Sequence, residues 1–306
     1  MAEITHRPTP GTARPATNPH ERSMGIAAFA ATALLWSTAG IFIKLLPWNA
    51  PLIAGMRSLI ASLFLLAWLR RPRFHWSFAQ VAAGILNAAT MCLFIYANKA
   101  TTSANAILLQ YSAPVFTAIA GALILHEKPK IEQIVAFIFV ILGMGVFFLG
   151  PGGGLGGGSF LGNLAAATTG LTFGLYFVFM RKQKDGSPLE SNLLSHWITA
   201  AVMLPLSLLF PPPPISPLAI LSILALGTLQ IGVASIFFVY GIRRVSAVQG
   251  VLTAVLEPVF NPVWVFLFVG EKPSPNALAG GAIIVVAVTL ASVIGARREA
   301  RLVRGA

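Results

Sequence analysis

Apolar residues run along this chain in long blocks separated by short polar or proline-rich joints, and block length decides what the blocks are. A helix needs roughly 20 apolar residues to cross about 30 Å of hydrocarbon. Ten such blocks fall at about 24–46, 51–69, 77–98, 103–125, 131–149, 160–181, 189–210, 217–241, 246–269 and 275–296. Runs of this length far exceed a membrane strand, in which apolar and polar side chains alternate. The pattern therefore predicts an all-α membrane protein of ten transmembrane helices, because a helix satisfies its own backbone inside lipid.

The second regularity is internal. SAPVFTAIAGALILHEKP at 112–129 and LEPVFNPVWVFLFVGEKP at 256–273 share seven of eighteen positions at a constant offset of 144. The same offset pairs FIY at 94–96 with FVY at 238–240, and Lys99 with Arg243. Earlier in each half the offset is 137, pairing Leu34, Phe42, Lys44, Pro51, Leu52 and Ser58 with Leu171, Phe179, Arg181, Pro188, Leu189 and Ser195. Each half holds five spans, and five is odd, so two homologous halves must lie in opposite orientations. The predicted organisation is a tail at 1–23, a first repeat at 24–150, a Gly-rich linker on the periplasmic side at 151–159 (PGGGLGGGS), an inverted repeat at 160–296 and a basic tail at 297–306. Inverted repeats let one chain adopt inward-open and outward-open arrangements of similar energy around a midplane site.

Charge orients this plan. Only 10% of the 306 residues are charged and 56% are hydrophobic, with a mean hydropathy of +0.80, whereas soluble domains carry about a quarter charged residues. The net charge of +12 would suit nucleic acid, but its distribution does not. With the N-terminus inside, seventeen of 21 Lys plus Arg fall on inward segments, three (Lys44, Lys99, Lys272) on outward ends, and Arg57 inside a span. This positive-inside bias predicts that both termini are cytoplasmic and that the basic groups meet lipid headgroups. The first 23 residues hold four prolines, three arginines and no apolar core, and read as a disordered tail rather than a signal. Cys92 is the one cysteine, which excludes an internal disulfide and a multi-cysteine metal site.

Ten spans in two inverted halves, each ending in Pro-Val-Phe and Glu-Lys-Pro, with LLWSTAGIFIKL in the first span and an arginine early in the second (PLIAGMRSLIASLFLL), resemble the drug/metabolite transporter superfamily, specifically its EamA-type members. Among these the chain is most similar in style to bacterial amino-acid exporters. The resemblance implies a multi-pass inner-membrane carrier of amino acids or similar small solutes, with no cofactor and no ATP hydrolysis. In keeping with that, the chain has no G-x-x-x-x-G-K-S/T phosphate loop.

Polar residues inside spans are costly and mark pathways or interhelical bonds. Glu257 lies near the middle of its span, on a stripe with Gln249, Thr253 and Asn261. An acid there costs about 2.5–3.5 kcal/mol unless it faces protein or water, so it faces the interior, as solute or proton site or as a structural carboxyl. Pro258 and its repeat partner Pro114 each remove a backbone donor, and paired helix breaks point to a transporter's site. Arg57, about 10 Å below the outer surface, is expected to be structural, with helix-end carbonyls as acceptors. Further cavity candidates are Trp36, Ser37, Thr38, Asn87, Thr90, Tyr96, Asn105, Gln110, Tyr111, Thr169, Tyr176, Gln230, Ser235 and Tyr240. Of these, Trp36, Thr38, Asn87, Thr90, Gln110, Tyr111, Tyr176 and Gln230 join Thr253 and Glu257 as the expected solute contacts. Spans two, five, seven and ten look poorer in central polar groups, which leaves one, three, four, six, eight and nine around the pathway. Gly170 and Gly174 form G-x-x-x-G, marking a close helix contact that an intersubunit (homodimer) face would also use. The expected activity is export by alternating access. A hydrophobic-cation or multidrug exporter and a passive channel remain open, while an enzyme would need clustered titratable groups in a cleft.

Overall fold

In the computed structural model, residues 19–100, 109–148, 160–269 and 275–304 are described. Most of the expected tail (1–18), Asn105, the Gly-rich segment 151–159 and Lys272 lie outside them. The helices are α1 (Pro19–Ser37), α2 (Ala39–Lys44), α3 (Ala50–Leu69), α4 (Phe78–Ala100), α5 (Ala113–Ala120), α6 (Ile131–Phe148), α7 (Phe160–Lys182), α8 (Pro188–Ser207), α9 (Pro217–Ala225), α10 (Ala234–Ile242), α11 (Ala247–Ala254), α12 (Leu256–Val269) and α13 (Pro275–Arg304). Two π-helical stretches, Gly121–Leu125 and Leu226–Val233, continue α5 and join α9 to α10. No strand occurs among the described residues.

Among the described residues helix lies under part of each predicted span, and six helical stretches are long and apolar enough to cross a membrane. The expected tails are shorter than the sequence suggested. α1 already begins at Pro19, with Arg22 buried and its guanidinium against Gly295 of α13, while α13 continues to Arg304. Burial of Arg22 against a neighbouring helix, which hydropathy alone does not register, orders residues 19–23.

The helix starts follow local chemistry. Asn49 Oδ1 accepts the Leu52 N–H at 2.8 Å to cap α3. Ser216 and Ser246 hydroxyls accept the Ala219 and Gln249 N–H groups, both at 3.2 Å, to cap α9 and α11. Prolines open α8, α9 and α13, where a missing N–H leaves no bond unmade. His126, in left-handed backbone at φ 56°, ends the first π-helical stretch.

Packing runs chiefly between the halves. α4 lies along α7, α3 along α8, α6 along α13 and α1 along α10. Exchanging the two halves carries the α4–α7 contact onto α1–α10 and returns α3–α8 and α6–α13 to themselves. Small residues permit the close approaches. An added Cβ at Gly227 would stand 2.5 Å from Ile60 Cβ, and one at Gly174 would stand 2.7 Å from the Ala113 carbonyl oxygen. Gly170 similarly faces Ser112 and the Leu109 carbonyl. The G-x-x-x-G face of α7 is thus occupied within the chain, by the segment leading into α5, and is not left open for a second subunit.

One end of the bundle is tied by charge. Arg181 Nε at the end of α7 donates to Glu127 Oε1 at 3.0 Å, and its Nη1 donates to the carbonyls of Ile242 and Arg243 at 2.8 and 3.0 Å. Arg298 Nη1 meets Glu132 Oε2 at 3.4 Å, and the Tyr240 hydroxyl reaches Met24 Sδ at 3.7 Å.

Replacing Gly174 by valine forces side-chain atoms into the α5 backbone and is expected to destabilise the protein by about 1–3 kcal/mol. Thermal unfolding in detergent measures this, with Leu171→Ala on the exposed face of the same helix as a control that changes little.

Candidate functional site

Two helices are interrupted at equivalent places. Regular helix fails at Tyr111 and Ser112, just before α5, and at Val255, between α11 and α12. Residues 111 and 255 differ by the same 144 that relates the repeats. At each break the backbone tightens to three-residue bonds, Ser112 N to Leu109 O and Val255 N to Leu252 O, both at 3.2 Å. The physical cause is Pro114 and Pro258, whose rings carry no N–H and crowd the carbonyls four residues earlier, at Gln110 and Ala254.

The breaks face one another. The Tyr111 hydroxyl donates to Glu257 Oε2 at 3.3 Å, so a side chain at one interruption holds the carboxylate at the other. Tyr111 is buried and Glu257 partly buried. An aromatic wall is built from Trp36, Phe173, Tyr176 and Phe238, with Trp36 5.8 Å from Phe173, Trp36 5.9 Å from Phe238 and Tyr176 5.1 Å from Phe238 between ring centroids. Trp36 keeps part of its surface open.

Hydrogen bonds sort the sequence candidates. Thr38 and Thr253 donate to carbonyls of their own helices, Leu35 at 2.7 Å and Gln249 at 2.8 Å. Asn87 Nδ2 donates to Ser195 Oγ at 2.8 Å, Thr90 and Thr172 share a 2.7 Å bond, and the Tyr176 hydroxyl donates to Asn192 Oδ1 at 2.6 Å. These five side chains are therefore engaged within the bundle. Trp36, Gln110, Tyr111, Gln230 and Glu257 are the remainder, and the buried Gln230 Oε1 has no partner among the described residues.

Span seven is richer in polar contacts than its sequence suggests. Ser191, Asn192, Ser195, His196 and Thr199 on α8 are all buried, and with Ser187 they form a polar face that meets α4 and α7. Gln80 Nε2 donates to Ser187 Oγ at 3.0 Å, Gln183 bonds Ser191, and Asn87 and Tyr176 reach Ser195 and Asn192. The positions 191, 192, 195, 196 and 199 recur at helical spacing. That stripe was visible in the sequence, but its small hydroxyls stood among leucines and did not mark a polar centre.

Arg57 is buried, and its Nε has no partner among the described residues. The described ion pairs include none between Arg57 and Glu257.

A helical bundle with buried polar stripes and paired helix breaks has the build of a membrane carrier, and comparison with known proteins specifies which kind. The model of the EamA-like transporter family matches residues 23–149 and again residues 160–293. The chain belongs to the EamA-like transporter family and carries its unit twice. It is 24% identical over 268 residues to an uncharacterized transporter of Archaeoglobus fulgidus, covering 87% of this chain and 96% of that protein. It is 30% identical over 203 residues to a protein of Streptantibioticus cattleyicolor named "Probable terminal-alkyne amino-acid exporter", covering 64% of this chain and 67% of that one. A solved crystal structure superposes with a TM-score of 0.74 at 23% identity, over 90% of this chain and 98% of that chain, which establishes the fold. The protein is a multi-pass membrane transporter whose partners are a small solute and lipid.

A double-mutant cycle on Asn87→Ala and Ser195→Ala is expected to return a coupling of about 0.6 kcal/mol and no more than about 1.7, the range for hydrogen bonds between membrane helices. Reversible unfolding in mixed micelles provides the readout, and zero coupling would contradict the bond.

Proposed function

We propose that this transporter exports amino acids or similar small metabolites across a bacterial inner membrane, by rocking its two inverted repeats (24–150 and 160–296, joined through 151–159) about a central cavity. In this reading ten spans cross, both termini are cytoplasmic, and Pro114 and Pro258 are the hinges. The observation that carries it is the Tyr111–Glu257 bond, which joins the matched breaks of the two repeats where a transporter's site is expected. The name of the Streptantibioticus relative supports the solute class.

The half-exchange pattern of helix contacts supports the rocking motion, since each repeat can take up the packing of the other. The end of the bundle bearing Arg181, Arg243 and Arg298 is the cytoplasmic one by the positive-inside bias. The Arg181–Glu127 pair then ties the two halves together there, and inward opening has to part it. With one carboxylate and one guanidinium as its intramembrane charges, the interior suits a neutral or zwitterionic solute better than a polyanion.

The decisive measurement is counterflow of labelled amino acids in proteoliposomes, with and without an imposed pH gradient, for the wild type and Glu257→Gln. The expected outcome is saturable transport accelerated by unlabelled amino acid on the opposite side. Flux with no such acceleration would indicate a channel. Dependence on the gradient only while Glu257 is intact identifies a proton-coupled exporter, and indifference to both identifies a facilitator with a structural Glu257.

A further inference from the structure

The loop joining α3 to α4, residues 70–77 (RRPRFHWS), lies at the basic end of the bundle and is held in place by the helices beside it. Glu190 Oε1 of α8 accepts the Arg73 N–H at 3.1 Å. Gln80 Oε1 accepts the His75 and Trp76 N–H groups at 3.0 and 2.8 Å, while its Nε2 donates to Ser187 Oγ at 3.0 Å. Backbone donors of the loop are thus fixed by two buried side chains, independently of what the loop's own side chains do. That course carries strain, because Arg70 and Trp76 stand at φ 56° and 50°, a region that bulky residues rarely enter.

The loop presents large aromatic rings and unspent charge together. Trp76 is 64% exposed, Trp68 at the end of α3 60%, and Phe78 at the start of α4 77%. Arg70, Arg71 and Arg73 are exposed as well, and among the described residues their guanidiniums form no hydrogen bond or ion pair. Other arginines of this end are engaged within the bundle: Arg181 with Glu127, Arg243 with the Gly186 carbonyl, Arg244 with the Tyr240 carbonyl and Arg298 with Glu132. No Asp or Glu occurs from residue 22 to residue 126, so the loop's own segment carries no counter-charge.

The loop also folds back along α8. Phe74 packs on Trp76 and on Trp197, at 5.1 and 5.4 Å between ring centroids, and Trp197 stands about 13 Å along α8 from Pro188 by helical rise. The loop therefore turns toward the middle of the bundle instead of projecting beyond its end. Exposed rings with arginines beside them fit the headgroup layer, where rings meet acyl chains and guanidinium forks meet phosphate.

We propose that the α3–α4 loop is a docking site for an anionic phospholipid of the cytoplasmic leaflet, with the phosphate held by Arg70, Arg71 and Arg73 and the acyl chains laid against Trp68, Trp76 and Phe78. This rests on the topology of the export reading, which puts residues 70–77 at the cytoplasmic surface, and it assigns one specific site where the charge bias alone gives only a general attraction. The loop belongs to the first repeat and is bonded to Ser187 and Glu190 of the second, so a lipid seated there braces the two halves in this arrangement.

The test uses full-length protein in detergent micelles titrated with brominated phosphatidylglycerol or brominated phosphatidylcholine, which quench tryptophan fluorescence on contact. Subtracting the Trp76→Phe form of each protein isolates the signal of Trp76. The wild type should reach half-maximal quenching with about tenfold less phosphatidylglycerol than phosphatidylcholine, a preference that two arginines at an anionic headgroup suffice to give. Phosphatidylglycerol should also raise its thermal midpoint more than phosphatidylcholine does. Arg70→Gln, Arg71→Gln and Arg73→Gln together should erase the preference, yet leave the lipid-free midpoint unchanged, because only backbone groups of these arginines are bonded. Lysine at the three positions should keep part of the preference. Removing three other exposed charges of the same end, with Lys128→Gln, Lys182→Gln and Arg297→Gln, should keep it whole.

Equal quenching by the two lipids overturns the proposal, as does equal loss of preference in the comparison variant. Full displacement by soluble glycerol phosphate would make the ligand a free phosphate and overturns the lipid. A lowered lipid-free midpoint in the triple glutamine variant would make the arginines structural and overturns the site. Topology is read separately, from the side on which His75→Cys, in a Cys92→Ser background, reacts with an impermeant maleimide. Reaction from the outer side overturns the export topology and the leaflet named here, whereas the lipid titration tests the site alone.

Discussion

Inside hydrocarbon a backbone carbonyl has no water to turn to, so every break in a helix must be sheltered by protein. Besides the turn at Thr38, the described residues contain a matched pair of such breaks, at Tyr111–Ser112 and at Val255, and packing shelters both. The first is pressed against Gly170 and Gly174 of α7, where the absence of side chains lets the broken segment approach to van der Waals distance. The second follows α11, whose eight residues are all buried. A hydrogen bond from Tyr111 to Glu257 then links the two. The carboxylate thus sits where the chain is least regular and best enclosed, which reconciles an acid with an apolar span.

The same constraint explains why the halves interleave instead of standing side by side. Each main helix contact joins one half to the other, so neither repeat has a core of its own. A pair such as α4 and α7 buries polar side chains of both, through Thr90 with Thr172. Such bonds are individually modest between membrane helices. At the basic end Arg181 is tied to Glu127 and to two carbonyls, and Arg298 to Glu132.

Legibility in the sequence followed the physics of each feature. Span length and hydropathy set the all-helical class, because hydrocarbon thickness admits little else. The 144-residue offset located the repeats and both prolines, since covalent absence of an N–H acts wherever the residue stands. Polar residues were harder to read. Thr38, Thr253, Asn87, Thr90 and Tyr176 looked like cavity groups, yet each is satisfied by its own helix or a neighbour. Ser191, Ser195 and Thr199 looked incidental and turned out to line a buried interhelical face.

What the sequence determined by itself was therefore what depends on composition along the chain: the helices, the repeat, the breaks at Pro114 and Pro258 and the family. The tertiary structure alone decided which polar groups are spent and which remain open. Satisfaction of a hydrogen bond is a property of pairs distant in sequence, such as Asn87 with Ser195 or Tyr111 with Glu257, and a side chain's type does not reveal its partner. For the same reason only the tertiary structure shows that the ring nitrogens of His196, Nε of Arg57 and Oε1 of Gln230 lack partners among the described residues.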